Sequence, residues 1–407
     1  MNKLKYNGGN TCSFCGKVLN DEFRIDGVNG PICEDCVKQA YMYVSQYNKS
    51  LQKTNNNDKS IPKPIEIKEY LDDYIIGQEA LKEKMAVAVY NHYKRINQPI
   101  DDIEIEKSNT ILLGPTGSGK TEIARTIAKF LDVPFVIADA TSVTQAGYVG
   151  DDIESILAKL YINSGNNIEK TERGIVFIDE IDKLAKKSQN VSITRDVSGE
   201  GVQQAILKML EGSDMNVPPN GGRKHPDQKM IKINTKNILF ICAGAFVGID
   251  KIIRKRFVTD SIGFNNVYNR KKVEEDENII SRVTAQDLKD YGLIPELVGR
   301  LPIISYTNKL TKDDLVKILT EPKNAIIKQY KKLFELDNIN LSFDDNVIEY
   351  IAEKAIDNDL GARGLRGILE EIMSKLMYQL PSQDITEYTV TLEYAKEQLN
   401  DTVYEAA

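Results

Sequence analysis

The stretch Gly114-Pro115-Thr116-Gly117-Ser118-Gly119-Lys120-Thr121 decides how the rest of the chain is read. It fits the pattern G-x-x-x-x-G-K-[ST] in full. The apolar run Thr110–Leu113 precedes it and a helical pattern, Glu122–Phe130, follows. Glycines let successive backbone N–H groups wrap an anion at the start of a helix, where the helix dipole adds positive potential. In this pattern the lysine reaches the outer phosphates of a nucleotide, and the hydroxyl beside it supplies a magnesium ligand. Lys120 and Thr121 fill those places, and Gly114 to Gly119 form the cradle. Alone, the octapeptide could be a structural turn; its strand–loop–helix setting points to a phosphate-binding loop.

Downstream, Ile175-Val176-Phe177-Ile178-Asp179-Glu180 is an apolar strand ending in two acids. The carboxyl end of such a strand is where α/β folds place ligand chemistry. Asp179 is expected to hold the magnesium shell, and Glu180 to orient and deprotonate an attacking water. A strand merely stopped by acidic turn residues is the alternative, and the phosphate-loop pattern argues against it. Further strand patterns at Val133–Ile137 and Ile238–Cys242 alternate with helical ones at Asp152–Tyr161 and Val202–Leu210. That alternation predicts an α/β fold, a doubly wound domain with a parallel sheet, over residues 65–305. Cys242 closes an apolar strand and reads as a small core residue.

Beyond residue 305 the texture changes. Leu365, Ile368, Leu369, Ile372, Met373, Leu376 and Met377 keep helical spacing until Pro381. Asp344 reads as the N-cap of a helix carrying Val347, Ile348 and Ile351, and Glu387–Leu392 alternates like a strand. Residues 306–407 are therefore expected to form a smaller, mostly helical domain.

At the other end, Cys12, Cys15, Cys33 and Cys36 form C-x2-C-x17-C-x2-C, a spacing that reads as a structural zinc site. Two disulfides are the alternative, disfavoured because Met1–Asn10 lacks the apolar core of an export signal. Residues 1–50 are expected to be a zinc-binding module and the polar, Asn-rich residues 51–64 a linker. Over residues 1–40 five basic side chains balance five acidic ones, and four thiolates on one zinc ion add negative charge. A protein-interaction or dimerisation role suits it better than phosphate binding.

Composition agrees. Over 407 residues, 53 Lys plus Arg against 60 Asp plus Glu give a net charge of −7, which disfavours nucleic-acid and membrane-surface partners. No apolar run approaches the roughly 18 residues a membrane span needs. The expected location is cytoplasmic.

With these features in place, the chain resembles the ClpX family of AAA+ protein unfoldases along nearly its whole length. The resemblance rests on nine ordered segments, the cysteine module and phosphate loop among them. The others are Tyr74–Gln78, Ala146–Gly150, Ser192–Asp196, Arg223–His225, Ile262–Phe264, Leu297–Arg300 and Gly361–Arg363. It implies a homo-hexameric ring that binds ATP, Mg2+ and Zn2+ and threads unfolded protein substrates, some brought by adaptors, into a separate ClpP-type peptidase. It implies Ile75 and Ile76 on the adenine side of the nucleotide. Arg300 would enter the neighbouring subunit's ATP site and Arg363 would contact the nucleotide of its own subunit. Tyr148 and Val149, flanked by Gly147 and Gly150, would grip substrate; large amphipathic contacts suit any polypeptide. Arg223, Lys224 and His225 would line the pore entrance, and Ile262, Gly263 and Phe264 would dock the peptidase. Each has a plainer reading: a core tyrosine, a solvated charge cluster, an apolar anchor, surface salt bridges. A nucleic-acid AAA+ motor is the rival function, opposed by the acidic balance and the Gly-Tyr-Val-Gly loop. One departure from the general AAA+ pattern is Ala243-Gly244-Ala245 after the Ile238–Cys242 strand, where many relatives place a polar sensor residue. No protease constellation is evident.

Overall fold

A computed structural model of the chain describes residues 11–19, 24–27, 30–44, 61–98, 103–143, 153–185, 199–219, 230–259, 276, 278–358 and 360–400. The chain divides into two compact units, Met1–Ile61 and Pro62–Ala407. In the first, β1 (Arg24–Gly27) and β2 (Gly30–Cys33) pair as an antiparallel hairpin, and α1 covers 34–44. Among the described residues its buried cluster is Cys12, Leu19, Cys33 and Cys36, little apolar burial for a folded module.

The second unit starts with α2 (Pro64–Asp72) and α3 (Glu79–Ile96). An alternating series follows: β3 (Thr110–Leu113), α4 (Lys120–Leu131), β4 (Phe135–Asp139), α5 (Ile153–Asn163), α6 (Ile168–Thr171) and β5 (Ile175–Asp179). It continues with α7 (Glu200–Glu211), an antiparallel hairpin of β6 (Asp214–Val217) and β7 (Ile231–Asn234), then β8 (Leu239–Gly244), α8 (Ile249–Thr259) and β9 (Ile303–Tyr306). Five strands form one parallel sheet in the order β4-β5-β8-β3-β9. Every residue of β3 and β8 is buried, as parallel strands covered on both faces must be, and this is why they read as unbroken apolar runs.

The expected α/β class with a parallel sheet is what the structure holds. Two details differ. The second strand runs Phe135–Asp139, later than its apolar pattern suggests, because Pro134 has no N–H to give the ladder; its carbonyl accepts from Ile175 N at 2.8 Å instead. The edge strand β9 was not legible, being only four residues long with Ser305 at its centre.

A second apolar cluster lies in the C-terminal part of this unit. The helix Ala362–Gln379 buries Leu365, Ile368, Leu369, Ile372, Met373 and Leu376, and gives way to a 3-10 turn, Leu380–Ser382, at Pro381. Asp344 is the N-cap of the helix Asp345–Asp357, without a side-chain capping bond. The strands β10 (Asn340–Phe343) and β11 (Glu387–Val390) pair in parallel beside these helices. No helix among the described residues is long and apolar enough to cross a membrane.

His92, on α3, is buried with Nε2 3.1 Å from the Asn237 carbonyl oxygen. A carbonyl only accepts, so Nε2 carries the ring proton. Among the described residues no partner reaches Nδ1. Burial, aided by the nearby Arg95 guanidinium, holds the pKa down to about 3 from an ordinary 6.5. The unfolded chain therefore takes up a proton that the folded one refuses. This contribution to stability is intact above pH 6.5 and is lost as the pH falls toward 3. At roughly 1.4 kcal/mol per pH unit, the loss reaches about 2–3 kcal/mol near pH 4.5. His92→Gln keeps a donor for Asn237 and should flatten this part of the stability profile in urea titrations; an unchanged slope would remove His92 as its cause.

Candidate functional site

Parallel strands end at one edge of the sheet, so the segments after β3, β5, β8 and β9 converge there. Residues 114–119 follow β3 as a loop in which Gly114, Gly117 and Gly119 have φ of +142°, +76° and +94°, a region that side chains disfavour. Gly119 is the N-cap of α4, so the first free N–H groups of a twelve-residue helix face the loop. Lys120 is buried, and its Nζ donates to the carbonyl oxygens of Gly114 and Pro115, both at 2.7 Å. Burial lowers its pKa, with Asp179 and Asp182 opposing the shift. The loop thus offers an ammonium, backbone N–H groups and a helix N-terminus at one place, a donor set that fits a nucleotide's phosphates.

The acidic pair lies beside it. Thr121 Oγ1 donates to Asp179 Oδ2 at 3.4 Å, and Asp179 Oδ1 accepts from the Glu180 N–H at 2.9 Å. A hydroxyl and a carboxylate side by side suit magnesium, which prefers oxygen ligands. Glu180 is exposed and sits in the left-handed region, φ 57° and ψ 30°. A non-glycine residue keeps that conformation only where its surroundings over-determine it.

Asp182 was not foreseen. It is buried, and its two carboxylate oxygens accept from Ala245 N and Phe246 N, each at 3.2 Å. A Cβ on Gly244 would meet Asp182 Oδ1 at 2.5 Å. β8 runs on to Gly244, two residues past its expected end at Cys242, and the carboxylate of Asp182 occupies the space that a side chain at Gly244 would need. The acid at the third place after Asp179 is the signal that could have found it.

On the far side of the loop, Thr116, Gly117, Lys309, Leu310, Leu315 and Ile356 line a shared recess. The last four lie far along the chain from the loop, and its return after β9 brings them here. Ala362 N donates to Gly117 O at 3.2 Å, so the segment around Gly361 lies directly on the loop. Arg363 is exposed, close enough for its charge to lower the Lys120 pKa. Ile75 is buried and Ile76 half-buried; Lys82 Nζ holds the Ile75 carbonyl at 3.2 Å. Arg300 is away from this group: its guanidinium is exposed, with Nη2 3.4 Å from Glu211 Oε1. Tyr148, Val149, Arg223, Lys224, His225, Ile262, Gly263 and Phe264 lie outside the described residues.

In the first unit all four cysteines are free thiols rather than disulfides. Their Sγ atoms lie within 4.8 Å of one another, and Cys15 and Cys33 are 3.7 Å apart. Four sulfurs at ~2.3 Å from one tetrahedral ion sit roughly 3.8 Å apart, so the set fits a metal. Gly16, φ +74°, closes the first knuckle by donating its N–H to the Cys12 carbonyl at 2.9 Å. The Cys33 N–H donates to Cys12 Sγ at 3.3 Å, and this contact is the chief cause of a Cys12 pKa near 6. Ordered N–H groups aimed at a sulfur favour its thiolate, the form that binds metal. Cys242 is buried in β8, where burial pushes its thiol up to about 12, as suits an inert core residue.

Residues 105–304 match the family model described as the AAA domain (Cdc48 subfamily), and residues 310–392 match the C-terminal, D2-small domain of ClpB protein. The chain is 56% identical over 395 residues to an ATP-dependent Clp protease ATP-binding subunit ClpX of Bacteroides thetaiotaomicron, covering 95% of each. A subunit of the same description from Bacteroides fragilis is 57% identical over 401 residues, 97% of this chain and 96% of that one. One from Treponema denticola is 53% identical over 386 residues, 94% of this chain and 92% of that one.

The cysteine cluster has a direct consequence. The purified chain should carry about one tightly held metal ion, and Cys33→Ser should release it, by elemental analysis. An unchanged metal content in Cys33→Ser would exclude these thiolates as the ligand set.

Proposed function

The chain belongs to the ClpX family, and from that premise we propose that it is the ATP-driven unfoldase of a Clp protease, delivering unfolded chains to a separate peptidase. It is an ATP hydrolase of the AAA type. The observation that carries the reading is the meeting of Lys120, Thr121 and Asp179 at one edge of the sheet, in a chain that aligns almost end to end with ClpX relatives.

Under this proposal, residues 114–119 and Lys120 hold the phosphates of ATP, and Ile75 and Ile76 pack on the adenine side. Thr121 and Asp179 hold Mg2+, which when bound neutralises charge on the outer phosphates. Glu180, exposed beside Asp179 at the end of β5, takes a proton from the attacking water. Arg300 is exposed, as a residue must be to reach a neighbouring subunit's site, where a guanidinium stabilises developing phosphate charge. Arg363 acts on the nucleotide of its own subunit. Its helix starts against Gly117, so a change at the loop is felt by the C-terminal cluster.

The same proposal makes the working assembly a homo-hexamer in the cytoplasm, with a ClpP-type peptidase as its partner. Tyr148 and Val149 grip the substrate, Arg223, Lys224 and His225 attract it at the entrance, and Ile262, Gly263 and Phe264 dock the peptidase. Residues 1–50 form a zinc module that receives substrates or adaptors, 51–64 a linker, 65–305 the large ATPase domain and 306–407 the small one. Zinc suits the module because four thiolates at tetrahedral spacing match its preferred coordination.

Three variants test this. Glu180→Gln should bind ATP yet lower turnover by about 10²–10⁴-fold; normal turnover would move the catalytic base elsewhere. Tyr148→Ala should keep ATPase activity while losing unfolding of a stable tagged protein, and equal unfolding by variant and parent would sink the gripping role. Deleting Ile262–Phe264 should spare unfolding and abolish degradation with a ClpP-type peptidase. Degradation that persists after the deletion would place docking elsewhere.

A further inference from the structure

Where β9 leaves the sheet, Thr307 is buried against the base of the phosphate loop. It is 1% exposed, and its partner Ser118 is 4% exposed. The Thr307 N–H donates to Leu113 O at 2.8 Å, and Oγ1 lies 2.6 Å from Ser118 Oγ and 3.3 Å from Leu113 O. Ser118 Oγ is also 2.7 Å from Pro115 O, which can only accept. A hydroxyl has one proton to give. The two shortest contacts are satisfied together when Ser118 gives its proton to Pro115 and Thr307 gives its own to Ser118, which leaves the longer 3.3 Å approach of Thr307 to Leu113 O without that proton. The Pro115 carbonyl that ends this chain also receives Lys120 Nζ at 2.7 Å. The bonds therefore run from Thr307 to Ser118 to Pro115, and meet Lys120 at the same oxygen.

The neighbours of Thr307 tie this contact to the rest of the site. Gln78 grips the backbone of Asn308 from both sides, accepting its N–H at 2.8 Å and donating to its carbonyl at 2.9 Å. The next two residues, Lys309 and Leu310, line the recess beside Thr116 and Gly117. Gly114 leaves no slack, since a Cβ there would meet Thr307 Oγ1 and would lie 2.9 Å from the Thr307 carbonyl oxygen.

We infer that Thr307 is a positioning residue of the ATPase site: through Ser118 it fixes the Pro115 carbonyl that holds Lys120, so residues 307–310 set the shape of the phosphate loop. The inference rests on the reading of residues 114–121 as the phosphate cradle. Thr307 touches neither Lys120 nor the strand-end acids in any recorded bond, and acts only through the loop backbone.

The test uses the full chain, with a fluorescent ADP analogue for affinity and steady-state hydrolysis for KM and kcat. Thr307→Val has the same shape without the hydroxyl. It should weaken nucleotide binding and raise KM by about five- to tenfold, the effect of losing one buried hydrogen bond. The kcat should stay within about twofold, because the loop binds ground and transition states alike. Thr307→Ser should restore both values. Parent-like affinity in Thr307→Val overturns the inference, even if that variant melts at a lower temperature. An equal loss in Thr307→Ser also overturns it, since the methyl group would then be the cause. If Thr307→Val does not fold, Ser118→Ala carries the test: it breaks the same relay and should weaken nucleotide binding by about five- to tenfold, and parent-like affinity there overturns the inference. Lys120→Ala separates the two levels: parent-like binding there removes the phosphate-cradle reading itself and this inference with it. Weak binding there beside an unaffected Thr307→Val removes the inference alone.

Discussion

The parallel pairing of β3 with β8 is the constraint on which the larger unit depends. Thr110 opposes Ile241 and Leu113 opposes Gly244, so both strands end level. The Gly114 N–H then donates to Gly244 O at 3.2 Å, carrying the pairing one residue into the phosphate loop. Both strands are buried along their whole length, and a slip of one residue would turn their side chains onto opposite faces. The ladder and the packing fix one register together, and that register sets the loop beside the turn held by Asp182.

Around this edge the backbone departs from easy conformations. Glu180 occupies the left-handed region, as do three glycines of the loop or its close neighbours. Such residues persist only where their surroundings over-determine them. Here Asp179 holds the Glu180 N–H, and Asp182 holds two N–H groups of the next crossing segment. The strong, doubly covered sheet supports an edge that local preference alone would not form. In the first unit the described residues offer four clustered thiols and a leucine-sized core, a set in which a bound metal would add order that apolar burial does not supply.

The site also joins the two apolar clusters of the larger unit. Leu310 and Leu315, which belong to the C-terminal cluster, share a recess with the phosphate loop, and Ala362 bonds to Gly117. A change in the loop therefore has two short routes outward, through Thr307 and Asn308 and through the start of the helix Ala362–Gln379. Each route is a handful of backbone and side-chain bonds, and the buried pair Thr307 and Ser118 sits where a lost partner is costly.

The sequence by itself determined the elements whose signals are local. The octapeptide at 114–121 needs its glycines for positive φ and its lysine and threonine for phosphate chemistry, and these residues are readable one after another. Apolar runs at β3, β5 and β8, the helical spacing of Leu365 to Leu376 and the paired C-x2-C knuckles are equally local. The sequence also carried the family resemblance, through short segments in a fixed order. Tertiary structure alone decided which distant residues meet. β9 carries too few residues for a pattern, yet its return delivers Thr307 to Ser118 and Asn308 to Gln78, 189 and 230 positions away along the chain. Asp182 takes the space that a side chain at the last residue of β8 would use, because Gly244 has no Cβ to exclude it. Periodicity reports which face of an element is buried. It does not report which loops a parallel sheet gathers at one edge, since that follows from strand order, and strand order is settled by packing of the whole unit.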